Sequence, residues 1–149
     1  MPANTTFTSG AILTAAQMNN LPWGVVGYAV KTTDQTVSTE ADVSGLTVTW
    51  TAVAGRVYKF SATLNVFSTA GSDTAVYLND NSSNVKESLG TIAANAQQTR
   101  TFIWYVTGIT AGSKTYKLKA AGSNATIVYG SSIRASIASQ FIVEDMGAA

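Results

Sequence analysis

The chain contains no cysteine and no histidine. Without cysteine there is no disulfide, no thiolate nucleophile and no Cys-based zinc site. Without histidine the commonest general base is missing, and with it the Ser-His-Asp arrangement of acyl transfer. Proline occurs only at positions 2 and 22, so nothing beyond Pro22 interrupts a strand ladder. Charge is scarce. Only 11% of the 149 residues are charged, less than half the usual share of about 25%. The net charge is +1 with no basic run, so nucleic acid is not an expected partner. Lys114, Lys117 and Lys119 come closest to a cluster, and they read as the solvent face of one strand. No stretch approaches the roughly 18 apolar residues of a membrane span. Residues 1–10 are polar, without the basic start and apolar core of a secretion signal. The expected route out of a cell is therefore lysis, or passage inside an assembled particle.

What the chain does have is β pattern. It is 46% hydrophobic and of single-domain length, long enough to bury a core. Residues 98–107 hold its bulkiest apolar run, Phe102-Ile-Trp-Tyr-Val106, all aromatic or β-branched. A half-buried strand alternates apolar and polar; this one is apolar on both faces. Phe102, Trp104 and Val106 take one face, and Ile103 and Tyr105 the other. One face belongs to the domain's own core. The other needs a second layer or a partner chain, either the N-terminal segment or another copy. Ile103 and Tyr105 are thus expected at an oligomer interface.

Clean alternation marks 46–52 as a strand with Trp50 inward, and 57–68 as the longest strand. Further strands are expected at 24–31, 74–79, 85–92, 115–121, 126–129 and 133–143, the last with Ile133, Ala135, Ile137, Phe141 and Val143 on one side. Turn signals every 8 to 12 residues predict an all-β fold of eight or nine strands. Connections this short exclude the crossovers of a parallel sheet. The expected architecture is an antiparallel, jelly-roll-like sandwich of two sheets over residues 24–149.

One short helix precedes it. Thr14-Ala-Ala-Gln17 matches a capping box, Leu13 and Met18 are placed for a hydrophobic staple, and Pro22 ends the helix after about two turns. So short a helix needs docking, through Leu13, Met18, Leu21 and Trp23. With Phe7, these residues either cap one end of the domain or anchor residues 1–23 in a neighbouring protein.

Little in the sequence points to catalysis or a cofactor. The eight carboxylates fall mostly in turns and at strand ends. Residues 79–84 (Asn-Asp-Asn-Ser-Ser-Asn) are rich in oxygen ligands but lack the glycine and closing glutamate of a calcium loop, so they read as a hairpin turn. Tyr77 and Tyr105 lie opposite the main apolar set of their strands and are candidate glycan contacts.

Three stretches resemble small virion proteins of tailed bacteriophages, of the minor tail, fibre or head-decoration kind. They are Phe7-Thr-Ser-Gly-Ala-Ile-Leu-Thr-Ala-Ala-Gln-Met-Asn19, Ala54-Gly-Arg-Val-Tyr58 and Phe141-Ile-Val-Glu-Asp-Met-Gly147, where Met146 replaces the usual isoleucine. The resemblance implies a virion structural protein whose partners are its own copies, as a trimer, and other capsid or tail proteins. It implies a sandwich like those of tumour-necrosis-factor-like and fibre-head domains, and no catalytic residue. Contact with host-surface glycan is a further expectation. A carbohydrate-binding module is the alternative reading, and a glycan depolymerase a third.

Overall fold

The computed structural model describes residues 12, 14–130 and 138–149. Phe7, Leu13, Ile133, Ala135 and Ile137 lie outside the described residues. A five-residue helix, α1 (Ala15–Asn19), is followed by β1 (Gly24–Val30), β2 (Gln35–Val37), β3 (Ala41–Ala52), β4 (Arg56–Ser68) and β5 (Ser72–Asn79). Then come β6 (Asn84–Ile92), β7 (Ala96–Val106), β8 (Gly112–Gly122), β9 (Thr126–Val128) and β10 (Gln140–Ala148). The fold is the expected all-β sandwich of two antiparallel sheets. Its ten described strands compare with an expected eight or nine; β9 falls on the expected 126–129, and β2, like β9, is only three residues long.

The six-stranded sheet is built on β4. This strand pairs with β10 over Arg56–Thr63, with β9 at Val66 and Phe67, and with β7 without interruption from Tyr58 to Ser68. β1 lies beyond β10, and β2 beyond β9. The four-stranded sheet has the order β3-β8-β5-β6. Among the described residues the run around Phe102–Val106 is therefore an edge strand, while the centre belongs to β4, whose alternation puts Tyr58, Phe60, Ala62, Leu64 and Val66 in the core.

The sheets meet through aromatic rings. Trp50 of β3 lies 5.4–5.8 Å from the rings of Tyr58, Phe60 and Tyr116, within the range where tilted pairs attract. Trp50 is core, as its alternation predicts. Phe102 and Trp104 stack at 5.7 Å on the same inner side.

Strand boundaries differ most from the sequence reading at β3 and β10. β3 starts at Ala41 rather than Leu46, because Gly45 at φ +82° carries a bulge that hides the alternation. β10 begins at Gln140, with Ala138 and Ser139 outside it, rather than as part of a strand from 133, and it runs past Val143 to Ala148. Glu144 and Asp145 read as a chain end, but Glu144 faces outward to Lys59 at 2.7 Å and Asp145 is buried against Arg56 at 2.5 Å.

The turn at 80–83 is held by Asp80. Its Oδ1 accepts from the Ser82 amide at 3.0 Å, the Ser82 hydroxyl at 2.8 Å and the Ser83 amide at 2.7 Å. This oxygen is spent inside the turn. The Ser83 amide bond, chiefly, holds the carboxyl below its ordinary 3.8. A folded-state value below the unfolded one gives stability that is present above pH 3.8 and lost as pH falls through the lower value. Asp80→Ala is expected to cost about 1–2 kcal/mol at pH 7. In urea melts from pH 7 to 2, the gap between variant and wild type should close below pH 3.8.

Candidate assembly interface

The outer face of the six-stranded sheet is set by its register. One row across four strands reads Tyr28–Ile142–Ser61–Ile103, and the next Val25–Glu144–Lys59–Tyr105. Ile103 is 53% exposed and Tyr105 56%, while their neighbours Phe102 and Trp104 are buried. The two-faced reading of this strand holds: one side is core, and no described residue covers the other. The charges in these rows are Lys59 and Glu144, and they bond to each other. That bond raises the Lys59 ammonium above its ordinary 10.5.

The other sheet presents a different outer surface. Thr47, Thr49 and Thr51 face Lys117, Thr115 and Ser113. Lys117 bonds Asp42 at 2.7 Å, and Lys119 bonds Glu40. Tyr77 stands in this charged row, half-buried, with Glu87 and Lys119 as register partners. Burial first, and Glu87 next, push its hydroxyl above 10.0. The candidate glycan aromatics Tyr77 and Tyr105 are thus on opposite faces of the sandwich and form no common platform. A depression of about 460 Å³ adjoins Tyr77's row, lined by Leu89, Ala75 and Ala121 together with Asp73, Thr91 and Ser123.

The acids are dispersed. Asp73 accepts from Thr91, Asp34 from the Gly130 amide, and Asp145, Glu144, Asp42 and Glu40 each hold a cation. Among the described residues no three His, Cys, Asp or Glu side chains gather as a metal site.

The N-terminal segment joins the six-stranded side. The capping box of α1 forms as its sequence predicts, with the Gln17 amide on Thr14 Oγ1 at 3.2 Å and the Thr14 amide on Gln17 Oε1 at 2.9 Å. The helix is five residues rather than two turns. Among the described residues its apolar side chains are not buried against the sandwich: Met18 is 56% exposed, Leu21 40% and Trp23 54%. Arg56 holds it by the backbone instead, donating from Nη2 to the Leu21 carbonyl at 2.6 Å and from Nη1 to the Asn19 carbonyl. Sequence reasoning missed Arg56 and Asp145 as partners because 89 positions separate them. Both nonetheless sit in stretches singled out by resemblance, and the three stretches meet here.

Eleven large apolar side chains are exposed among the described residues. All but Val53 and Leu89 belong to the six-stranded sheet or the N-terminal segment. Single exposed apolar residues are ordinary; their confinement to one side makes it the candidate interaction surface.

The class that fold and surface define is an all-β sandwich with one apolar and one polar outer sheet face. No family model matches the chain, and no curated protein matches it in sequence. Among solved structures it is similar to the tripod (BppUct-A-L) of the baseplate of bacteriophage Tuc2009, at 11% identity over 95% of this chain and 73% of that one, TM-score 0.48. It is also similar to the VP2 subviral particle of infectious bursal disease virus, at 11% identity over 85% and 38%, TM-score 0.44. A third likeness is to a CBM35 from Cellvibrio japonicus Abf62, at 13% identity over 87% and 97%, TM-score 0.37. These are likenesses of sandwich architecture and carry no function to this chain.

Proposed function

We propose that the chain is a structural protein of a tailed-phage particle. It works as a homo-oligomer, a trimer, packed through the outer face of the six-stranded sheet and attached to the particle by its N-terminal segment. The four-stranded sheet, with its threonines and ion pairs, faces solvent and the host surface. The observation that carries this reading is the one-sided distribution of exposed apolar side chains. Tyr28, Ile103 and Tyr105 are wasteful on a solvated sheet and useful in a subunit contact, where aromatic anchors dominate binding. The resemblance of three stretches to phage virion proteins supports the location.

Two measurements test it. Light scattering on the full chain at micromolar concentration should give three times the 15.5 kDa chain mass; a monomer sinks the oligomer. Deleting residues 1–23 should abolish incorporation into particles, and normal incorporation of the truncated chain sinks the attachment.

A further inference from the structure

We propose that Arg56 is a mounting residue. It fixes the N-terminal segment in one orientation on the sandwich, so that Met18, Leu21 and Trp23 are presented as a rigid surface to an uncharged, apolar groove of another protein of the particle. The proposal rests on the reading above that this segment attaches the chain.

A helix of five residues does not hold itself together. The Gln17 and Met18 carbonyls accept from the Asn20 and Leu21 amides, and Arg56 supplies the partner for the last helical carbonyl, Asn19, and for Leu21 just beyond it. One planar guanidinium donates to the Asn19 carbonyl, to the Leu21 carbonyl at 2.6 Å and, through Nε, to Asp145 Oδ2 at 2.5 Å. Trp23 lies against its face, 4.6 Å from ring centre to Cζ. The group is buried, with Arg56 4% and Asp145 1% exposed, so these bonds form away from competing water. Lysine has no equivalent fork, since its ammonium is a point charge on a flexible stem.

The backbone around the junction is shaped for close approach. A Cβ on Gly147 would stand 2.9 Å from the Asn20 carbonyl oxygen, and Gly147 has φ +100°. The Ala148 amide donates to that same oxygen at 3.3 Å. The segment is thus seated by main-chain groups and one face of Trp23, and Met18, Leu21 and the rest of the Trp23 ring stay exposed. Their chemistry names the partner. Residues 1–23 contain no charged side chain, so the complementary surface is apolar, and neither a phosphate backbone nor a charged membrane surface suits it.

The test uses the full chain and particles assembled without it. In Arg56→Lys, hydrogen exchange of residues 15–23 should approach that of an unstructured peptide while β4 and β10 stay protected. Incorporation should fall about tenfold or more, because a loosened segment must be ordered again on binding. Incorporation of the wild type should be insensitive to salt. Gly147→Ala provides the same test without touching the ion pair, should the lysine variant fail to fold. A segment that remains protected in both variants overturns the mount. A segment that loosens while incorporation is unchanged overturns its positioning role. The paired variant Met18→Ser, Leu21→Ser keeps the Trp23 ring and every carbonyl that Arg56 holds. If its incorporation is normal, it is the attachment reading that fails.

Discussion

An Ile103→Asp variant is expected to remain folded and to be monomeric at concentrations where the wild type is assembled. Ile103 lies on the outer face of β7 and is 53% exposed in the isolated chain. An aspartate there stays hydrated, so the domain should lose less than about 1 kcal/mol. In the assembly the same carboxylate would be buried on an apolar surface without a partner, at a cost of about 2 kcal/mol or more. That is at least about thirtyfold in affinity for each contact. A closed symmetric oligomer repeats the substitution at every interface and multiplies the effect. The position of β7 strengthens the expectation. Among the described residues its sole sheet partner is β4, along an unbroken register. It carries no proline and no lysine, the usual devices that protect a free edge. Sedimentation equilibrium, with circular dichroism to check the fold, reads the outcome. A variant that unfolds makes Ile103 core, and one that stays assembled removes this face from the interface.

Periodicity carried the sequence reading as far as periodicity can. It identified which residues share a face: Trp50 inward on β3, the long inner row of β4, and both apolar faces of β7. It does not identify neighbours. The run at Phe102–Val106 is the most apolar in the chain, yet its strand is an edge, and the sheet is organised on the plainly alternating β4. Burial of the edge strand's second face is a property of an assembly, and apolar composition alone does not distinguish that from a central position. Glycine and charge hid the ends of β3 and β10, since Gly45 breaks the alternation and Asp145 looks like a solvated terminus. The apolar side chains of the N-terminal segment were expected either to cap the domain or to anchor in a neighbour; within the chain, backbone carbonyls make the attachment to Arg56. Hydrogen bonds from a distant arginine to main-chain oxygens leave no trace in the local pattern of side chains.

The same blindness applies to Lys31, whose loss is expected to have the larger effect on folding. A lysine closing an apolar strand reads as solvated, yet this one is fully buried. Its ammonium donates to Gln35 Oε1, the Ser44 carbonyl and Ser44 Oγ, each at 3.0 Å. These bonds tie the end of β1 to β2 and β3. With Arg56 near the start of β1, where Gly24 pairs with Asp145, the strand is fixed by a buried cation at each end. Lys31→Ala opens a cavity and strands the Ser44 carbonyl, and should cost about 3 kcal/mol. Lys31→Met fills the space and removes a buried charge, so it should cost less. Burial, only partly offset by Asp34, holds the ammonium below its ordinary 10.5. The unfolded chain therefore keeps its proton to higher pH than the folded one. Just below pH 10.5 the unfolded state binds more protons, so Lys31's contribution grows more favourable as pH rises. Tyr77 and Tyr116, raised above 10.0, act in the opposite direction beyond that pH. The comparison is therefore wild type against Lys31→Met by urea unfolding from pH 8 to 10, where both proteins share those tyrosines. Wild type should gain on the variant across this range. A constant difference would mean that the ammonium is hydrated in the folded chain, and that the inner end of β1 is held by something other than these three bonds.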